Sequence, residues 1–154
     1  MRELIGTAIG RTDKGGGDFA TTADLQAEEA MLAVFERERP ADAVLAEESG
    51  AGGTRGALRT WLIDPLCGTL NYAAQMRVVG VNVSLRGGED MPCAAVADPF
   101  SGQVFWTDGR AAQVRADAQD SALVPSAGSR LVDLNLDPPF STSDRRCCSA
   151  VRCW

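Results

Sequence analysis

The segment Trp-Leu-Ile-Asp-Pro-Leu-Cys-Gly-Thr-Leu-Asn-Tyr, residues 61 to 72, restricts the fold of this chain more than any other. Its apolar run predicts a buried strand that delivers Asp64 at its end. Pro65 fixes the turn that follows, and Gly68-Thr69 lead into a helix start. The layout is that of a metal and phosphate corner, with oxygen ligands at a strand end and backbone amides after the turn. At position 67, where such a corner wants a second carboxylate, stands a cysteine.

What surrounds this corner narrows the chemistry. A chain of 154 residues with 45% hydrophobic and 23% charged content has room for one ordinary globular domain. Its formal net charge of −6, with scattered Lys and Arg, argues against a nucleic-acid partner, because phosphate backbones reward clustered positive charge. An acidic chain that handles phosphates needs metal ions as go-betweens. There is no histidine, which removes His-based triads and His-ligated zinc from consideration. The opening MRELIGTAIG carries Glu3 and has no long apolar core, so no secretory signal or membrane partner is expected and the predicted location is cytoplasmic. The five cysteines do not form a secreted disulfide pattern: Cys67 and Cys93 stand alone, and Cys147, Cys148 and Cys153 crowd the end.

Hydrophobic periodicity predicts an amphipathic helix in TTADLQAEEAMLAVFERERP. Leu25, Met31, Leu32 and Phe35 are expected on one face, Thr21 and Asp24 form a capping box, and Pro40 ends the helix. Strands are predicted at 43–46, 60–64, 78–85, 93–99 and 103–107. In the third of these, Val79, Val81, Val83 and Leu85 alternate with smaller or polar residues until Gly87-Gly88 breaks the run. Pro99 to Gly102 form a turn, and Asp108-Gly109 reads as a tight hairpin. The glycine-rich GAGGTRGA after Glu47-Glu48-Ser49 reads as a flexible surface loop, and Gly15-Gly16-Gly17 as a connector beside a solvated Lys14. The sum is α+β, a mostly antiparallel sheet carrying packed helices.

One incomplete domain is predicted over residues 1–137, and 138–154 is predicted to be an irregular, disordered tail. The segment at 131–140 still reads as folded, whereas the Arg- and Cys-rich end has no periodicity. That abrupt change of composition suggests an out-of-frame read-through truncating a longer protein.

Three pieces then fall into order: DFATTAD at 18–24, AEES at 46–49 and WLIDPLCGTLNY. In this order and spacing the chain resembles the inositol monophosphatase family, whose signatures read D-x-x-T-x-x-D, G-E-E-S and W-x-I-D-P-x-D-G-T-x-N-F. The resemblance extends more weakly to about residue 137. It implies the N-terminal half of a layered α-β-α-β-α sugar-phosphatase fold and Mg²⁺-dependent hydrolysis of a phosphate monoester, with an inositol-phosphate-like metabolite as the leading substrate. Relatives of this architecture also act on fructose bisphosphate, adenosine bisphosphates and histidinol phosphate. By the same resemblance Glu47 and Thr69 position and activate water while Asp24 orients Thr69. Glu47, Cys67, Gly68 and Thr69 meet the substrate, Asp64 bridges two metals, and related enzymes commonly form homodimers. From the residues alone, Glu47 and Asp64 are candidate Mg²⁺ ligands with the Leu66 carbonyl as a third oxygen.

Cys67 departs from the family's second aspartate. Its readings are a tuned thiolate ligand, a nucleophile, or a replacement that lowers metal affinity, and the last is favoured because thiols are poor Mg²⁺ ligands. A W-D-x-A segment that completes the family's metal site is absent from these 154 residues, and WTDG at 106–109 reads as a hairpin turn. Two further functional readings follow: an inactive module that binds a partner, and a non-functional fragment.

Overall fold

The computed structural model describes residues 10–15, 18–88, 90–124 and 128. The predicted folded segment at 131–140, the tail at 138–154 and the boundary at 137 lie outside the described residues, as do residues 1–9. Within the described residues the chain builds an eight-stranded sheet, a separate hairpin and two helices. No helix among the described residues is long and apolar enough to cross a membrane.

The hairpin comes first. β1 (Arg11–Gly15) pairs antiparallel with β2 (Asp18–Thr21); of the glycines read as a connector, Gly15 ends β1 and residues 16–17 lie outside the described residues. Thr21 ends it and caps α1 (Thr22–Glu38): its hydroxyl accepts from the amides of Ala23 and Asp24, while the Asp24 carboxylate accepts from the Thr21 amide at 2.8 Å. This is the predicted capping box, and it satisfies amides that a helix start otherwise leaves unpaired. Met31, Leu32 and Phe35 pack on the sheet as expected, but Leu25 is 45% exposed. The stripe facing inward instead begins with Ala23, Asp24 and Glu28, all buried.

The sheet order is β10-β9-β8-β7-β6-β5-β3-β4. Its strands are β3 (Ala43–Ala46), β4 (Gly50–Gly53), β5 (Arg59–Cys67), β6 (Gly80–Gly87), β7 (Asp90–Ala97), β8 (Val104–Thr107), β9 (Ala112–Ala116) and β10 (Gln119–Ala122). Every pairing is antiparallel except β3 with β5. The first half of the glycine-rich segment predicted as a loop is therefore β4, an edge strand matched to β3 from Ala43↔Gly53 to Ala46↔Gly50, while residues 54–57 form the expected turn. Backbone hydrogen bonds need no side chains, so a glycine run can pair when an existing strand offers a template.

Side chains alternate across the sheet. Val44, Ala46 and Ile63 point toward α1 and form one core cluster with Met31, Leu32, Phe35, Trp61 and Val83. Phe35 and Trp61 meet with ring centroids 5.1 Å apart, consistent with core roles for both. The Trp61 indole donates to Asp42 at 2.9 Å, and Asp42 also holds Arg59. A second cluster of Ala23, Leu66 and Tyr72, with Val79 and Phe100 packed on it, ties α1 to the corner after β5. Tyr72 and Leu66 are 0% and 1% exposed, each side chain's burial contributing about 2 kcal/mol. The corner's position is therefore set by packing.

Candidate active site

Parallel pairing of β3 with β5 brings the acidic residues together. Ala46 lies opposite Ile63, and the Glu47 amide continues the ladder by donating to the Ile63 carbonyl at 3.2 Å. The next residues along the two chains are Glu47 and Asp64. Both line an open groove of about 490 Å³ shared with Leu45, Ala46, Leu62, Ile63, Asn82 and Ser84. Residues 17 positions apart become neighbours because their strands run the same way.

Asp64 is held by its surroundings. One carboxylate oxygen accepts from the Leu66 amide at 3.1 Å and the other from the Asn82 side chain at 3.1 Å. Pro65 sits inside β5 at a register shift between Asp64 and Cys67, after which Cys67 pairs with Gly80. Proline is tolerated there because a bulge requires no ladder donor. Gly68 follows with φ 92°, and a Cβ at that position would meet the Val78 carbonyl at 2.9 Å. Only glycine makes this turn without strain. It opens α2 (Thr69–Ala73), a helix of five residues. The Asn71 side chain closes the corner by donating to the Val78 carbonyl at 2.9 Å.

The Thr69 hydroxyl lies 2.9 Å from Asp24 Oδ1 and 3.1 Å from the Leu66 carbonyl. Its single proton serves one acceptor at a time, and the carboxylate is the stronger. Asp24 is fully buried and also accepts from the Thr21 amide and hydroxyl, so it is at once a cap residue and the partner of Thr69. The structure thus gathers Asp24, Leu66, Cys67, Gly68 and Thr69 at one corner and places Glu47 beside Asp64 next to it.

Three participants carry no site role in the sequence reading. Asn82 holds Asp64. Glu28, 3% exposed, accepts from the amides of Glu48 and Ser49 at 2.8 and 2.9 Å. Lys14, read as solvated, instead has its ammonium 2.8 Å from Glu48 and 3.9 Å from Glu47. The overlooked signal for Glu28 lies in the helix period: Asp24, Glu28, Met31, Leu32 and Phe35 share one stripe, and a carboxylate within a core stripe requires a buried donor.

Electrostatics separate the two candidate metal positions. Partial desolvation, then the negative charge of Asp64, raises the Glu47 pKa from 4.5 to about 7, with Lys14 opposing the shift. Glu47's side chain is 45% exposed, so solvent tempers this repulsion without removing it. Two carboxylates held together against their own charge suit a single hard cation. Mg²⁺ keeps several waters, so Glu47, Asp64 and the Leu66 carbonyl offer enough oxygen. Among the described residues no group of three or more His, Cys, Asp or Glu side chains is arranged to hold a metal. Cys67 does not extend the set. Burial and the Asp64 charge push its thiol above the usual 9.0, which favours the protonated thiol in the metal-free chain.

A strand-to-helix corner with this acidic pair is the layout expected from the WLIDPLCGTLNY segment. The family model of the inositol monophosphatase family matches residues 2–144, and the chain belongs to that family. Its fold is the α+β fold of that family, in part. A protein of Streptomyces griseus named glucose-1-phosphate thymidylyltransferase is 39% identical over 131 residues, covering 81% of this chain and 51% of that protein. An inositol-1-monophosphatase of Synechocystis is 41% identical over 95 residues, or 60% of this chain and 33% of the relative. The inositol monophosphatase structure from Anabaena superposes with a TM-score of 0.56 at 34% identity, over 60% of this chain and 37% of that one. The chain therefore spans about half, or less, of the relatives it matches.

Proposed function

We propose that this chain hydrolyses phosphate monoesters of the inositol-phosphate type with Mg²⁺, using an activated water as nucleophile. The observation that carries this reading is the Glu47–Asp64 pair lying beside the Asp24–Thr69 hydrogen bond, on a family background of phosphatases. Glu47, Asp64 and the Leu66 carbonyl would hold the cation. When bound, Mg²⁺ supplies positive charge to the phosphoryl oxygens and acidifies water. Asp24 keeps the Thr69 proton, which leaves the hydroxyl's lone pairs available to accept a hydrogen bond from the attacking water. Glu47 would orient the attacking water and accept its proton, a role worth about 10²- to 10⁴-fold in rate. The Cys67-Gly68-Thr69 turn is the place for the substrate phosphate.

Cys67 supports a second reading, a catalytically impaired chain that acts, if at all, as a binding module. A protonated thiol neither attracts Mg²⁺ nor repels a phosphate, so the second metal position is weakened. One assay addresses both readings. Inorganic phosphate release by the 154-residue chain is measured with and without Mg²⁺ on inositol 1-phosphate and fructose 1,6-bisphosphate. Glucose 1-phosphate is added because one relative's name contains that ester. Mg²⁺-dependent release supports the enzyme. Release by Cys67→Asp alone supports the impaired reading, and silence from both chains refutes phosphatase chemistry.

A further inference from the structure

Helix α1 presents two buried carboxylates, and the reaction proposed above uses only Asp24. Glu28 follows it by four residues, one turn further along the same face and about 6 Å along the axis. Asp24 grips Thr69 in the corner after β5. Glu28 grips the turn after β3, with Oε2 accepting from the Glu48 amide at 2.8 Å and Oε1 from the Ser49 amide at 2.9 Å. Past the Glu47 amide the chain has left the β3–β5 ladder. The two amides beyond it are held by Glu28.

We infer that Glu28 is a positioning residue, a two-point clamp that fixes the peptide after Glu47 and so sets where the Glu47 carboxylate stands relative to Asp64 and Thr69. This rests on the proposed reading of Glu47 as a cation ligand. A carboxylate 3% exposed that spans two consecutive amides leaves the turn little rotational freedom, and the Glu47 side chain leaves the backbone immediately before the clamped residues. Because Asp24 and Glu28 share one rigid helix, the separation between the acidic turn and the Thr69 corner is fixed by the helical rise. Satisfying two amides alone would make Glu28 a stability residue. Its place between the site's two halves gives it a further role.

Mn²⁺ binding by the full chain, measured by calorimetry, tests this in Glu28→Gln and Glu28→Asp. Asp42→Asn serves as the control, since Asp42 is 4% exposed and holds two partners at the opposite end of β3. The glutamine amide turns a donor toward a donor, and the aspartate falls one methylene short. Either should weaken Mn²⁺ binding about ten- to a hundredfold, the range seen for groups that orient metal ligands. Asp42→Asn should lower thermal stability while leaving affinity within about twofold, since it orients no metal ligand. Unchanged affinity in folded Glu28 variants, or equal losses in the Glu28 and Asp42 variants, overturns the inference. If the unsubstituted chain takes up no Mn²⁺, the phosphatase reading fails. The clamp is then judged by amide exchange in that chain, where fast exchange at Glu48 and Ser49 overturns it. The same measurement decides if both Glu28 variants fail to fold.

Discussion

Replacing Asp24 by asparagine separates the structural half of the corner from its chemical half. In the folded chain one carboxylate oxygen serves the Thr21 amide at 2.8 Å together with the Thr21 hydroxyl, and the other serves Thr69 at 2.9 Å. The introduced amide must keep its oxygen toward the Thr21 N–H, because a buried donor facing a donor costs about 1–3 kcal/mol. Its nitrogen then faces Thr69. That hydroxyl can accept from the nitrogen and turn its own proton to the Leu66 carbonyl 3.1 Å away, so no donor is stranded. Three charge-assisted hydrogen bonds become neutral, at about 1 kcal/mol each. The helix start also loses a favourable charge worth about 0.5 kcal/mol. The expected loss is about 3.5 kcal/mol, and with a urea m-value of about 1.5 kcal/mol/M the midpoint falls by about 2.3 M. The lone pair intended for water is now occupied, so any phosphate release should drop at least about 100-fold even where the variant is fully folded. Urea unfolding followed by tryptophan fluorescence, paired with the release assay in the absence of urea, reads both effects. A midpoint within about 0.3 M of the parent would refute the argument, the limit being set by the expected m-value. So would full activity in a folded Asp24→Asn chain.

Three further outcomes are expected. Cys67→Asp places a carboxylate beside Asp64 and should strengthen Mn²⁺ binding or add a second equivalent, read by calorimetry; identical isotherms would show that position 67 does not face the cation. Glu47→Gln should remove a pH dependence of metal-free stability. The folded pKa of Glu47 is raised, so its contribution is fully present below 4.5 and lost as pH rises toward about 7. The variant should therefore gain on the parent across that window by about 1 kcal/mol after solvent screening, and a constant difference at pH 4 and pH 8 would contradict it. Asp42 has a pKa lowered from 3.8, chiefly by the Trp61 indole and against the cost of burial, with Arg59 adding to the effect. Its contribution exists above 3.8 and is lost as pH falls through the depressed value. Asp42→Asn should therefore lower the urea midpoint at pH 7 and approach the parent in stronger acid, and a gap unchanged down to pH 2 would contradict it.

Elements that rest on side-chain period or capping chemistry were legible in the sequence. Thr21 and Asp24 marked the start of α1, and Val81, Val83 and Leu85 marked β6, because these signals are local. β4 was not legible: its Gly-Ala-Gly-Gly carries no side-chain pattern, and its pairing is supplied by β3. Leu25 was misplaced because apolarity alone does not decide which face a core selects; here buried carboxylates took the inward stripe. The residues of the corner were readable from their motif. Glu28 and Asn82 were not, since what marks them is the partner each finds across the fold.

The parallel pairing of β3 with β5 has one more consequence. Glu47 and Asp64 are brought side by side by the register Ala46↔Ile63, with the edge strand and the turn after it looping out between them. Lengthening that excursion costs only the slow logarithmic entropy of a larger loop. The spacing of the two carboxylates is thus independent of how many residues separate them along the chain, and insertions are expected to be absorbed at 55–58, past Thr54, whose amide and hydroxyl donate to the Asp42 and Pro40 carbonyls.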